Sequence, residues 1–273
     1  MNIQDNTTML FIVTSKDVVE ERFFSDIAYF IEKLNGKVND VTIITNEDAA
    51  TIVSKYIQLS NAIFIKETEA LSTIERINSE NLFVFVNCHG SLQDGIDCSQ
   101  NLRPYPLTCA IKKSRAKNII VVLCQCFAGM YSNVDLNCEN KSIVYIGATG
   151  LHSSISMNIP LLQINWSANI SLIAVAIWLA NPIDVDGDGV FSVIDLFMFL
   201  STFTNEITHF LEKENNKSLA ESIFSYYQTT QTQSLPVVYK LANEYMPNYF
   251  VPHQFTWIKK NCNPAKLIFE DLI

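Results

Sequence analysis

The sequence predicts an α/β fold in which a mostly parallel central sheet of about six strands is covered by helices on both faces. Two stretches, residues 82–86 and 119–123, are continuously apolar and of strand length, as strands buried on both faces are. Other short apolar runs alternate with segments whose apolar residues recur at helical spacing. Both buried strands lead into glycine-bearing turns, and α/β sheets bind ligands beyond the carboxyl ends of their strands.

The first part of the chain alternates strands and helices, as parallel sheets require. Gly36 is expected to end the first helix, because glycine readily adopts the left-handed backbone found there. Asn46 is expected to cap the second helix, with Glu47 and Asp48 favourable in its first turn. The predicted elements here are strands at 9–14, 41–45, 62–65 and 82–89, and helices at 19–34, 47–56 and 68–77.

The second part is predicted with longer connections. Residues 91–117 are expected to form a polar loop containing Pro104 and Pro106, and its basic residues a solvated face. Strands are expected at 119–126 and 143–146, helices at 160–180, 193–203 and 218–227, and an irregular tail after them. Because no repeat, linker or break in composition interrupts the chain, we expect a single domain over residues 1–273.

Charge and composition exclude several classes of function. The net charge of -9 over 273 residues argues against nucleic acid as a partner, because a phosphate-binding face needs excess Lys and Arg. The most apolar stretch, residues 170–180, is too short to span a bilayer, so no membrane partner is expected. The first residues lack the basic and apolar segments of a secretory signal, which predicts a cytoplasmic protein and leaves open export by another signal. Seven irregularly spaced cysteines fit a reducing compartment better than a disulfide framework.

A histidine and a cysteine stand at the ends of the two buried strands. A thiolate at Cys126 would attack an acyl carbon, and the imidazole of His89 would activate the thiol and protonate the leaving amine. The backbone N–H groups of Gly90 and Cys126 are candidate oxyanion donors. A buried structural cysteine and a structural histidine are the commoner alternatives. Zinc at Cys124 and Cys126 is disfavoured, because a second ligand pair is missing.

Two motifs carry a family resemblance. His-Gly-Ser-Leu-Gln-Asp-Gly at 89–95 and Gln-Cys-Phe-Ala-Gly-Met at 125–130 resemble the two strand ends of the caspase-like clan of cysteine peptidases. The similarity is closest to the legumain-like branch and its bacterial relatives. It implies a caspase/legumain-like three-layer sandwich, with Cys126 as nucleophile, His89 as general acid/base and Gly90 as oxyanion donor.

The predicted substrate pocket departs from that family. Cys124 occupies the position two before the nucleophile, where legumain-like relatives carry an acid and caspases a Gln. Lys16 and Arg22 are candidates for the pocket's cation, although a surface charge is the favoured interpretation of either residue. The turn containing Ala148 and Thr149 either lines the cleft or is a plain turn. Cys124 is also a rival nucleophile, because it points to the same face as Cys126 but deeper in the sheet.

An acidic loop follows the pattern of a calcium-binding loop. Such loops place oxygen ligands at fixed positions, with a glycine at the turn, and flanking helical patterns support this interpretation here. The alternative is an Asp/Gly-rich turn whose carboxylates cap the next helix. The predicted ligands, with Val190 contributing its carbonyl, are Asp184, Asp186, Asp188, Val190 and Asp195.

These expectations combine into one function and two alternatives. We expect a cysteine endopeptidase that acts on a protein or peptide substrate through a Cys126–His89 dyad and a thioacyl intermediate, without a catalytic cofactor and with Ca²⁺ as the one candidate ion. The alternatives are an inactive caspase-like interaction module and a transpeptidase that uses the same dyad. The sequence leaves the oligomeric state open.

Overall fold

The computed structural model of the chain describes residues 6–99, 102–207 and 256–272. The chain divides into two compact units, and the larger comprises residues 1–201 and 255–273. Most of the smaller unit, residues 202–254, lies outside the described residues, as does the helix predicted at 218–227. The single-domain expectation therefore stays a prediction, and the strands and the candidate site all belong to the larger unit.

A seven-stranded sheet forms the centre of the larger unit, in the order β3-β2-β1-β4-β5-β6-β9. The first six of these strands in chain order pair in parallel, and β9 pairs antiparallel with β6 at the edge. A separate two-stranded sheet pairs β7 with β8. The strands are β1 Thr7–Ile12, β2 Asp40–Thr45, β3 Ile63–Lys66, β4 Asn81–Val86, β5 Asn118–Leu123, β6 Ser142–Gly147, β7 Ser156–Ile159, β8 Ile164–Asn169 and β9 Trp257–Lys260.

Helices lie on both faces of the sheet. On one face, Phe30 of α1 packs against Phe11 and Phe85, with ring centroids 5.2 and 4.9 Å away. On the other face, Val84 and Val121 share a buried cluster with residues of α3 and α4. The helices are α1 Glu21–Leu34, α2 Ala49–Lys55, α3 Ala70–Arg76, α4 Pro104–Lys113, α5 Ile170–Ala180, α6, which begins at residue 193, and α7 Phe269–Leu272. The prediction of an α/β fold around a mostly parallel sheet is confirmed.

The long polar loop predicted at 91–117 contains α4, so that part of the prediction was wrong. Pro104 stands at the first helical position, where proline is tolerated because its missing N–H would have no partner inside the helix. The basic residues at its end pair with exposed acids, Lys112 with Asp135 and Lys113 with Glu75, and so do lie on a solvated face.

The single helix predicted at 160–180 was also wrong in its first half. Residues 156–169 form the β7–β8 hairpin, and the helix begins only after Asn169. The Asn169 side chain accepts hydrogen bonds from the N–H groups of Ser171 and Leu172, which is the geometry of a helix cap. The tail likewise contains β9, which was not expected.

Two helix ends test the predicted caps. Asn35 (φ 47°) and Gly36 (φ 78°) both adopt left-handed backbone directly after α1, so the predicted stop is confirmed. The cap of α2 is Asp48 rather than Asn46, because its carboxylate accepts the Thr51 N–H. Among the helices that the structure describes, none is both long and apolar enough to cross a bilayer.

Candidate active site

The two predicted reactive residues follow neighbouring strands. β4 and β5 pair in parallel up to Val86 and Leu123, and the Cys124 N–H continues the ladder to the Val86 carbonyl at 3.0 Å. A Cβ added to Gly90 would lie 2.0 Å from the Cys126 carbonyl oxygen. The strand ends that carry His89 and Cys126 are therefore in direct contact, and only glycine fits at position 90.

His89 and Cys126 line the same groove, which has a volume of about 440 Å³. Its walls come from α1, from the ends of β4 and β5, and from the β7–β8 hairpin with its preceding loop. Most of the described residues that line the groove have polar side chains, and the acid and the guanidinium among them, Glu20 and Arg22, both lie at the start of α1. Its lining residues are Glu20, Arg22, Phe23, Cys88, His89, Cys126, Ser154, Ser156, Ser167 and Asn169.

The imidazole of His89 is held by a carboxylate and an aromatic ring. Its Nε2 lies 2.5 Å from Glu20 Oε1, and its ring stands edge-on to Phe23 at 5.3 Å between centroids. Arg22 Nε also donates to Glu20, and together the Arg22 and His89 hydrogen bonds lower the pKa of that carboxyl. Glu20 is therefore ionised at neutral pH, and it both orients the imidazole and can pair with its protonated form.

The Cys126 sulfur is half-buried and is approached by hydrogen-bond donors. The Ser154 N–H donates to Sγ at 3.3 Å, and the Ser154 hydroxyl lies 3.5 Å from it. The next residue, Phe127, has a φ of 58°, and its N–H donates to the His152 carbonyl at 2.8 Å. This left-handed residue bends the chain sharply directly after the sulfur, and backbone strain of this kind is typical of functional sites.

The candidate oxyanion donors are also at this edge of the sheet. Among the described residues, neither the Gly90 N–H nor the Cys126 N–H donates to another group. Backbone N–H groups without a protein partner beside a nucleophile are available to a developing oxyanion.

Of the predicted pocket residues, Arg22 lines the groove and the others do not. The Arg22 guanidinium donates to the Ser156 hydroxyl at 2.9 Å and to the Ser167 carbonyl at 3.4 Å. Lys16 instead forms an exposed ion pair with Asp94.

The remaining three predicted pocket residues, Cys124, Ala148 and Thr149, are fully buried behind the groove. Burial raises the pKa of the Cys124 thiol, which disfavours its thiolate and hence its role as the rival nucleophile.

Sequence reasoning missed Glu20 and Ser154. Glu20 directly precedes α1, and the carboxyl end of β1 meets the same edge of the sheet as that of β4. Strand order could therefore have placed this segment of the chain near His89, but it does not determine the direction of the Glu20 side chain. No pattern in the sequence indicates Ser154. It reaches the Cys126 sulfur because of the path taken by the loop after β6, and that path follows no local sequence pattern.

The acidic loop brings three of its predicted ligands together. Asp184, Asp186 and Asp188 each offer a carboxylate oxygen within 4.8 Å of the other two, and these oxygens could hold a cation. Gly187 and Gly189 adopt the positive φ values that the tight turn requires.

Asp195 lies apart from this cluster of oxygens. Its carboxylate accepts the N–H groups of Val185, Asp186 and Ser192 and the Ser192 hydroxyl, at 2.7 to 3.2 Å. This is the helix-capping role that the sequence left open, here joining the start of α6 to the loop. The role of the Val190 carbonyl as a ligand stays a prediction.

Comparison with models of known protein families gave no match for this chain. Comparison with curated proteins likewise gave none. The functional interpretation therefore depends on the geometry of the groove and its residues.

Proposed function

We propose that the protein is a cysteine endopeptidase with a caspase/legumain-like arrangement of strands. One observation carries the proposal: His89 and Cys126 follow neighbouring parallel strands whose ends meet at Gly90 and Cys126, and both residues line one groove. The seven-stranded sheet with helices on both faces is compatible with this family and supports the resemblance of the two motifs.

The chemistry starts at the Cys126 sulfur. His89 accepts the thiol proton, Sγ attacks the peptide carbonyl carbon, and the N–H groups of Gly90 and Cys126 receive the developing oxyanion. His89 then gives the proton to the leaving amine, which leaves a thioacyl enzyme that water hydrolyses. Because Nε2 of His89 faces Glu20, Nδ1 is the ring nitrogen that exchanges the proton.

The groove supports a peptide substrate with a polar residue at the cleaved bond. Among the described residues that line the groove, the one guanidinium, that of Arg22, is already paired with Glu20 and hydrogen-bonded to Ser156. Serine hydroxyls make up much of the remaining wall. We therefore expect recognition by hydrogen bonds rather than a strict preference for an acidic or a basic residue.

The proposal is tested by replacing each of the two neighbouring cysteines. Cys126→Ala should lower the hydrolysis of a mixed peptide library by at least about a thousandfold, because the nucleophile is removed. Cys124→Ala is the matched control, and it should keep activity within about threefold, since its sulfur is buried away from the groove. A Cys126→Ala protein that retains full activity would falsify the proposal.

Two alternative functions make different predictions in the same assay. An inactive interaction module would show neither hydrolysis nor covalent labelling of Cys126 by a peptide with an acyl-directed electrophile, with or without Ca²⁺. A transpeptidase would transfer the acyl group to an added amine faster than to water.

A further inference from the structure

A carboxylate that the proposed chemistry does not use lies buried beneath the groove. Asp26, on α1, is 0 % exposed. Charged side chains are almost never fully buried unless they are paired. The groups that contact the Asp26 carboxylate therefore need to be identified.

Three N–H donors converge on this carboxylate. Its Oδ1 accepts from Trp166 Nε1 at 2.8 Å, and its Oδ2 accepts from Asn87 Nδ2 and from the Asn169 backbone N–H, both at 3.2 Å. The three donors come from β8 and from the end of β4, so one carboxylate joins two elements to α1.

Two of the donors lead directly to the reactive strand ends. Asn87 is two residues before His89, and its N–H continues the sheet by donating to the Ile12 carbonyl. Asn169 Nδ2 donates at 2.8 Å to the carbonyl of Cys124, which is two residues before Cys126. On the His89 side, Asp26 thus accepts directly from the side-chain amide of Asn87. On the Cys126 side, it accepts the backbone N–H of Asn169, whose side-chain amide in turn donates to the Cys124 carbonyl.

Building on the proposed function, we propose that Asp26 is a positioning residue that holds the strand ends carrying His89 and Cys126 in a fixed relation through Asn87 and Asn169. The ionised carboxylate suits this role, because every group that contacts it is a donor. Effective catalysis needs the reacting groups within a fraction of an ångström of their productive geometry.

The charge of Asp26 is set by opposing influences. Burial raises the pKa of this carboxyl to about 7, and the hydrogen bonds from Trp166, Asn169 and Asn87 and the nearby Arg22 guanidinium oppose that rise. Among the described residues, the charged or titratable groups that face it are Arg22, on the same helix, and the Cys124 thiol at the end of β5.

Protonation would disturb the link to His89. A protonated carboxyl needs an acceptor, and Asn87 Oδ1 is buried without a hydrogen-bond partner among the described residues. The amide could present this oxygen only by turning and giving up its bond to the Phe23 carbonyl, which is 3.2 Å long. The alignment of the two reactive groups should therefore improve as the pH rises through about 7.

The test compares the full chain with its Asp26→Asn variant between pH 5 and 9. Two rates are measured, the alkylation of Cys126 by iodoacetamide, followed by mass spectrometry, and kcat for peptide hydrolysis. The rates are compared as the ratio of wild type to variant at each pH. We expect a ratio within about threefold at pH 5, rising to about thirtyfold or more at pH 8.5, with KM changed less than threefold.

A matched variant separates positioning from general stability. Trp166→Phe removes one donor to Asp26 but neither link to a strand end. Because that donor lowers the pKa of Asp26, its loss should move the pH at which alignment improves upward, while the rates at pH 9 should stay within about threefold of the wild type. Alkylation of the half-buried Cys109 in the same samples reports any general loosening of the protein.

The outcomes are decisive in either direction. If the ratio of wild-type to Asp26→Asn rates does not change with pH, the positioning role is overturned. It is also overturned if Trp166→Phe loses as much rate at pH 9 as Asp26→Asn does. If Asp26→Asn does not fold, Asn87→Ser cuts the link to the His89 strand end alone and must give the same pH-dependent ratio for the proposal to stand. If Cys126 alkylation shows the dependence but no variant, nor the wild type, cleaves peptides, the peptidase proposal fails while the role of Asp26 is upheld.

Discussion

Glu20 and Arg22 show how much of the site depends on individual side chains. Both follow β1 in a run of charged residues that the sequence marks only as the start of a helix. In the structure, the Glu20 carboxylate contacts the His89 imidazole and forms an ion pair with Arg22, so the charges of Glu20 and Arg22 in the groove neutralise each other. The candidate nucleophile and base were predictable from strand-end motifs, whereas this pair depends on side-chain direction within a single turn.

The carboxylate of Glu20 should contribute modestly to the rate. Glu20→Gln keeps the shape and removes the charge that supports the positive imidazole, so we expect kcat to fall about tenfold with little change in KM. The effect is limited because the Glu20 side chain is 48 % exposed and its field is screened by solvent. The measurement is steady-state peptide hydrolysis at low and moderate salt.

Glu21→Gln is the matched control for this prediction. Glu21 is the next residue in the chain, and it forms an exposed ion pair with Lys55 at 3.3 Å rather than with His89. Its replacement should leave kcat unchanged. Equal losses in the two variants would mean that the charge of this turn, rather than the contact with His89, supports catalysis.

Whole elements were predictable where one local pattern determined them. The runs at 82–86 and 119–123 became β4 and β5, because short runs of apolar residues that are mostly β-branched or aromatic favour a strand buried on both faces. Helix α4 was not predicted, because its sequence contains Pro104 and Pro106, and prolines usually indicate a loop. Both lie in the first turn of the helix, where proline is tolerated. Part of the β7–β8 hairpin was included in the predicted helix, although apolar and polar residues alternate along β8, as they do in a half-buried strand.

The acidic loop should respond to calcium as a separate element. Its three clustered carboxylates repel one another. The backbone N–H of Asp188 favours the charged form of Asp186, yet the displacement of water by the surrounding loop and the charges of the neighbouring acids raise the pKa of that exposed carboxyl. A bound cation would relieve this repulsion. At a calcium concentration of about a hundred times Kd, linkage gives about 2.7 kcal/mol, and hence a rise in Tm of about 5 °C, measured by differential scanning calorimetry.

Asp186→Asn should remove most of the calcium-dependent rise in Tm, and a chelator should reverse the rise in the wild type. Asp135→Asn is the control, because Asp135 is exposed and pairs with Lys112 outside the loop. If calcium at millimolar concentration leaves the wild-type Tm unchanged, the loop acts as a capped turn, in which Asp195 holds Ser192 at the start of α6.

The molecule as a whole uses one edge of its sheet to assemble residues that are distant in sequence. Glu20, His89 and Cys126 follow β1, β4 and β5, three strands that are neighbours in the sheet. Parallel pairing places their carboxyl ends together, which is why the location of the site could be predicted from the order of the elements. The buried network beneath it could not be, because Asp26, Asn87 and Asn169 have no motif and meet only through the packing of α1 and β8 on the sheet.

That network should make the stability of the whole protein depend on pH. The folded pKa of Asp26, about 7, lies above its unfolded value, so between pH 4 and 7 the folded state binds more protons than the unfolded state. The free energy of unfolding that this group contributes is therefore largest at low pH and declines as the pH rises through 7. From pH 5 to 8 the loss should be about 2 to 3 kcal/mol, since each pKa unit corresponds to about 1.4 kcal/mol.

Urea unfolding of the wild type and of Asp26→Asn at pH 5 and pH 8 measures this contribution, because all other titrating groups cancel in the difference between the two proteins. The wild type should lose its advantage over the variant, or fall below it, as the pH rises. A difference that is the same at both pH values would mean that Asp26 is ionised throughout. If the expected trend is found, the pH at which the carboxylate best aligns His89 and Cys126 is also the pH at which it most weakens the fold, as expected where a buried charge serves a site rather than stability.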